Sequence, residues 1–197
     1  MKSSLIRLLF AGLAVVALGV ARSSASRPVH AAVSCDVADL TIDGEEQAFL
    51  TLINNYRAQS GAPALGISQT LNRASSWMSV DMANKNYLSH TDSLNRDPFQ
   101  RMANCDVATA AQAENVAAGY ETAAAVFEGW RTSPGHNANM LNPAYLSIGI
   151  ARAFNAGATY GWYWTTNFSS ESPPQQLPPN TPCSKTSARA TPAGNTA

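Results

Sequence analysis

The chain is short of histidine and cysteine, and it has no basic stripe and no long apolar run after its first two dozen residues. Each shortage excludes something. Its three cysteines, Cys35, Cys105 and Cys183, include no close pair, which excludes a cysteine-based metal centre. Without a stretch beyond the leader long enough to span a bilayer, the remaining chain is not transmembrane. Without a basic stripe, neither nucleic acid nor an anionic membrane is its main partner. Histidine occurs only at His30, His90 and His136, so any imidazole chemistry rests on very few residues. No internal repeat is found.

The first residues read as a secretory signal. Lys2 and Arg7 give a positive start, and Leu8 to Ala21 is an apolar run of 14 residues, short for a membrane span. Small residues follow, with cleavage sites after Ala25 or near Ala31 and Ala32. We therefore expect residues 1–32 to be a signal peptide and its cleavage region, and the protein to be secreted. Removing Lys2, Arg7, Arg22 and Arg27 leaves nine of the 13 basic residues against 13 acidic ones, a net charge of −4. About 165 residues then remain, enough for one domain that buries roughly 70% of its surface on folding. Three cysteines in an oxidising compartment predict one disulfide and one free thiol. The spacing leaves the pairing open. Cys105 reads either as a buried free thiol at a helix end or as a nucleophile, and no base stands beside it in sequence.

Residues 33–43 form a lead-in. Asp43 with Glu46 makes a capping-box start, and Phe49, Leu52, Ile53 and Tyr56 fall on one helical face that Gly61 and Pro63 terminate. A second helix begins after Ser68, with Leu71, Ala74, Met78 and Met82 as a core stripe, and ends near residues 84–87. His90 lies in the loop beyond. Asp97-Pro98 starts a short helix that would bury Phe99 and Met102. An alanine-rich connection, Val107 to Ala113, leads to Glu114-Asn115-Val116, which is a short strand or an extended entry. Thr122 caps a helix carrying Ala123, Val126, Phe127 and Trp130. Ser133-Pro134 opens another, with His136 in its first turn and Asn142-Pro143 at its end. A hairpin follows. On its first strand Ile148, Ile150 and Phe154 face one way, while Gly149, Ala151 and Ala153 face the other. On the second, Tyr160, Trp162, Trp164, Thr166 and Phe168 share a face. That aromatic row reads as packing against helices. Residues 44–169 thus form the folded domain, and 170–197 a tail rich in proline, serine and threonine that we expect to be disordered.

His90, Glu114 and His136 each stand at the edge of an element. Two imidazoles and a carboxylate would supply three ligands to a tetrahedral ion such as zinc and leave one position open. The same trio without metal would serve as a proton relay. A first-turn histidine at the positive end of a helix dipole favours its neutral form, which is the form that binds metal. The bland alternatives are a hydrogen-bonded loop histidine, and a Glu114 that accepts backbone N–H bonds beside an Asn115 that caps a turn.

The order of motifs resembles the CAP superfamily of cysteine-rich secretory proteins, antigen 5 and pathogenesis-related 1 proteins, and among these the bacterial SCP-like members. Residues 52–57 (LINNYR), Leu65, Leu71, Ser89-His90, residues 114–117 (ENVA) and 130–136 (WRTSPGH) carry the likeness. So do residues 139–143 (NMLNP), 148–150 (IGI) and 163–168 (YWTTNF). The resemblance spans roughly residues 45–168. It implies an α+β fold, a three-layer α-β-α sandwich with a central, mainly antiparallel sheet. It also implies a surface cleft with two histidines and two acids. His90, Glu114 and His136 match three of these four. The fourth does not: many eukaryotic relatives carry glutamate three residues after the tryptophan, where this chain has Ser133. We read Ser133 as the cap of the helix bearing His136, its oxygen aimed at backbone N–H groups. Glu128 belongs elsewhere on its helix. The eukaryotic cysteine pattern is absent.

Three functions follow as expectations. The first is a secreted binding module whose cleft, with His90, Glu114, Ser133 and His136, takes Zn2+ or another divalent cation or a small ligand, with His90, Glu114 and His136 as metal ligands. The second is a metal-assisted, peptidase-like hydrolase, with a Ser133-His136-Glu114 relay as a variant. The third is an extracellular module that binds lipid or a cell-envelope component. No catalytic residue is assigned.

Overall fold

The computed structural model describes residues 35, 37 and 40–173. The expected leader, the rest of the lead-in, His30, Cys183 and the tail from 174 onward lie outside the described residues. Five helices, α1 (Gly44–Gln59), α2 (Gln69–Lys85), α3 (Pro98–Asn104), α4 (Ala123–Arg131) and α5 (Pro134–Leu141), accompany four strands. These are β1 (Gly66–Ile67), β2 (Gln112–Ala118), β3 (Ser147–Phe154) and β4 (Trp162–Ser169).

The strands form one sheet in the order β1-β3-β4-β2. The β3–β4 and β2–β4 pairs are antiparallel, and only the two-residue β1 runs parallel to its neighbour β3. Helices cover both faces, which makes the expected sandwich. On one side Phe49 of α1, Val126 and Trp130 of α4 and Met140 of α5 pack on Ile148, Ile150, Trp164 and Phe168. On the other, Met78 and Met82 of α2 meet Val116 and Tyr163, while Met102 and Cys105, at the end of α3, pack on Leu71 and Ala74. Fully burying each such large apolar side chain contributes roughly 1.5–3 kcal/mol.

The caps predicted at Asp43, Asp97 and Thr122 form. Asp43 and Glu46 close a capping box on α1, Asp97 and Gln100 close one on α3, and Thr122 Oγ1 accepts from Ala125 N. Glu114-Asn115-Val116 lies inside β2, so the segment is a strand. Gly149 lets α2 approach β3 closely, since a Cβ there would stand 2.2 Å from the carbonyl carbon of Leu71. The expectations for Phe99 and Cys105 are corrected. Phe99 is 52% exposed, so of the two only Met102 is buried. Phe154 is also exposed and packs at the hairpin tip against Trp162 at 4.9 Å. Cys105 is not a free thiol: it forms a disulfide with Cys35.

Buried Arg57, on α1, donates to the carbonyls of Pro63, Met140, Asn142 and Tyr145 at 2.7–3.0 Å. It satisfies the open carbonyl end of α5, a need that arises at every helix C-terminus. In doing so it fixes the helix that carries His136.

Candidate functional site

Strand β2 lies at one edge of the sheet. Successive side chains on a strand point to opposite faces, and here that rule divides the site. Glu114 turns toward the α2 side, where it meets His90 and Arg101; Asn115 turns toward α5. The site therefore wraps around the edge of β2, with one histidine on each side.

On the α2 side, His90 Nδ1 lies 2.9 Å from Glu114 Oε1, and Arg101 Nη2 donates to Glu114 Oε2 at 2.6 Å. The side chains of Glu114 and Arg101 are each 1% exposed, while that of His90 is 51% exposed. A carboxylate only accepts, so Nδ1 of His90 carries the hydrogen, and in the neutral ring Nε2 keeps its lone pair. Asn167 of β4 stands opposite Glu114 in register. With its amide turned to suit its neighbours, its nitrogen donates to Glu114 Oε2 at 3.2 Å and its oxygen accepts from Ser75 Oγ at 3.0 Å.

Two buried aspartates hold the loop that presents His90. Asp81 accepts from the backbone and hydroxyl of Ser93 at 2.8 and 2.6 Å, and from the Tyr87 hydroxyl. Asp92 accepts from the backbone N–H groups of Leu94 and Arg96 at 2.9 and 2.8 Å and from Arg96 Nε at 2.8 Å.

On the α5 side, Asn115 Nδ2 donates to the His136 carbonyl at 3.2 Å, and Asn139 Nδ2 donates to Asn115 Oδ1 at 2.9 Å. These bonds fasten α5 to β2. Ser133 stands at the cap position, yet its side chain makes no cap hydrogen bond. Its Oγ lies 2.9 Å from Nδ1 of His136. The expectation that this oxygen serves backbone N–H groups is thereby corrected: the half-buried imidazole three residues on offers a nearer partner. Asn115 likewise caps no turn. Burial, and secondarily the charge of His90, lower the His136 pKa below its ordinary value of 6.5. Its neutral form is thereby favoured. Its ring also lies 6.2 Å from the Trp130 ring. Glu128 takes no part: it is exposed and pairs with Arg131.

The geometry separates two ways of holding the ion that the sequence suggested. As a trio of ligands the set does not fit, because both oxygens of Glu114 are engaged by His90 and Arg101. Among the described residues, no three His, Cys, Asp or Glu side chains form a group that could hold a metal ion. What the described residues leave open to an ion is the pair of imidazoles. Each Nδ1 has an orienting partner, which is the usual second layer around a metal-binding histidine, and neither Nε2 has a hydrogen-bond partner among the described residues. Two cavities lie elsewhere. One of about 730 Å³ is lined in part by Glu46, Trp77, Asp81 and Arg152, and one of about 850 Å³ by Leu40, Ile42, Leu50, Leu65, Ile67 and Pro173.

Residues 50–168 match the family model described as the cysteine-rich secretory protein family, CAP. The chain belongs to the CAP family. It is 30% identical over 131 residues to the uncharacterized protein YkwD of Bacillus subtilis (strain 168), a match covering 66% of this chain and 49% of that one. The CAP chain thus spans about half the length of this curated relative. An extracellular protein containing a SCP domain from Bacillus anthracis str. Ames superposes with a TM-score of 0.58 at 27% identity, over 65% of this chain and 41% of that one. An outer surface protein from Borrelia burgdorferi gives a TM-score of 0.58 at 22% identity, over 64% and 94% of the two chains. That second likeness concerns the fold alone.

Sequence reasoning picked out His90, Glu114, Ser133 and His136, and it missed Arg101, Asp81, Asp92 and Asn167. A lone arginine thirteen residues before an acid gives no local signal. Only the pairing of α3 with β2 brings it to Glu114.

Proposed function

We propose that this CAP-domain protein is a secreted binding module that takes a zinc-type divalent cation through Nε2 of His90 and Nε2 of His136. Water, or a ligand of extracellular or cell-envelope origin, would fill the remaining positions. The observation that carries this reading is the chain Arg101–Glu114–His90, which leaves Nε2 of an exposed imidazole as a lone pair. The lowered pKa of His136 supports it, because a neutral imidazole is the metal-binding form. Glu114 then orients and does not ligate. Two protein donors in place of three predict an ion that is held weakly and exchanges readily. Placement outside the cell is supported by the description of the Bacillus anthracis relative as an extracellular protein.

Calorimetric titration of zinc into the metal-stripped protein, beside a His90→Ala/His136→Ala double variant, tests the reading. Binding by the wild type alone is expected. Equal binding by both, or by neither, refutes it.

The contact between Ser133 Oγ and His136 Nδ1 favours a second reading, an acyl-transfer hydrolase with Ser133 as nucleophile and His136 as base. Glu114 is not the third member of such a relay, because it is bonded to the other histidine. Hydrolysis of activated esters that disappears in Ser133→Ala would support this reading, and a silent ester and peptide panel would end it.

A further inference from the structure

We propose that Arg101 is a positioning residue for the site. Its guanidinium holds Glu114 so that the carboxylate fixes both the ring orientation and the tautomer of His90. This inference rests on the reading of His90 Nε2 as the ligand-facing atom.

One guanidinium grips His90 at both ends. Nη1 donates to the His90 carbonyl at 2.8 Å and to the Arg96 carbonyl at 3.0 Å, which fixes the backbone of the loop. Nη2 donates to Glu114 Oε2 at 2.6 Å, and the other oxygen of that carboxylate receives Nδ1 of the ring. The ring itself is half exposed. An exposed imidazole ordinarily samples several rotamers and both neutral tautomers. Here the buried side of the ring is tied to a carboxylate that cannot turn, because its second oxygen is already taken.

Arg101 is itself well placed to hold. It sits on α3, whose start is closed by the Asp97–Gln100 capping box and whose C-cap is Cys105, bonded to Cys35. Asp92 Oδ2, 3.9 Å from Nη1, adds a second buried negative charge on the same side.

Arg101 could instead serve only to neutralise a buried Glu114. The two roles separate on substitution by lysine. Lysine keeps the charge, but its ammonium lacks the flat fork that reaches two carbonyls and a carboxylate together. If neutralisation were the whole role, Arg101→Lys would restore the site. If geometry matters, it would not.

The experiment is nitrogen-15 spectroscopy of the His90 ring in the metal-stripped protein, at a pH where the ring is neutral, for wild type and R101K. The wild type should show the Nδ1–H tautomer, and R101K a mixture shifted toward Nε2–H. In the same samples zinc affinity should fall about tenfold or more, the scale typical of lost outer-layer support. A folded R101K with the wild-type tautomer and affinity overturns the proposal. Should R101K not fold, the wild type alone decides: the Arg101 Hη protons should give separate, slowly exchanging resonances, and one averaged set overturns the proposal. A tautomer shift in a protein whose wild type binds no zinc leaves Arg101 as the positioning residue and removes the cation reading instead.

Discussion

At α5 the hydroxyl of Ser133 lies beside an imidazole and bonds none of the first-turn N–H groups. Ser133→Ala should therefore cost well under the ~1 kcal/mol of a lost cap, while the ring resonances of His136 move. Urea unfolding checks the first half, and a loss of a full kcal/mol would show that the hydroxyl caps after all. Glu46 is a different case. Its oxygens accept from the backbone N–H groups of Asp43 and Arg152, both at 2.7 Å, and burial pushes its pKa from 4.5 up to about 6. A carboxyl whose folded value is raised contributes stability that is complete below the unfolded pKa and is lost as pH rises through the folded one. Relative to Glu46→Gln, which does not titrate, the wild type should lose up to about 2 kcal/mol between about pH 4.5 and 6.5. Parallel denaturation curves for the two proteins across that range would expose a flat difference if the burial argument is wrong.

Among the elements, the contact between α2 and β3 is the least tolerant. A Cβ at Gly149 would stand 2.2 and 2.3 Å from the carbonyl carbon and oxygen of Leu71. These are backbone atoms, so the whole helix must shift. Gly149→Ala should destabilise by roughly 3 kcal/mol, in the range of overpacked cores; an unchanged denaturation midpoint would mean that α2 yields easily. Gly129 offers the contrast, since a Cβ there would meet only the far end of Tyr120. How well the elements could be read from the residues follows the range of the interactions that make them. Asp43 with Glu46, Asp97 with Pro98, and Thr122 are signals confined to one turn, and they marked their helices. Met78 and Met82 show a helical period, and both are buried. Two-residue β1 carries no period and exists only because β3 pairs with it. Arg57 is fully buried although polar, because the carbonyls it serves lie as far away as Tyr145. Of the candidate site, His90, Glu114, Ser133 and His136 were legible from their motifs, and Arg101 and Asn167 were not, since their partners come from other elements.

For the molecule as a whole, the Cys35–Cys105 disulfide closes a loop across 70 residues of sequence. Chain-entropy arguments give such a loop about 4 kcal/mol, and measured values run from about 2 to 4 kcal/mol. A Cys35→Ala/Cys105→Ala variant should lose that much in chemical denaturation. If it melts with the wild type, the bridge is not a stabilising tie. The sheet order has a consequence of another kind. Leu40 and Pro173 line the same cavity beside β1. The histidines are held by Glu114 and Asn115 of β2, the strand at the opposite edge and three strand spacings away, about 14 Å in all. A molecule lodged in that cavity would thus sit a full sheet width from both rings.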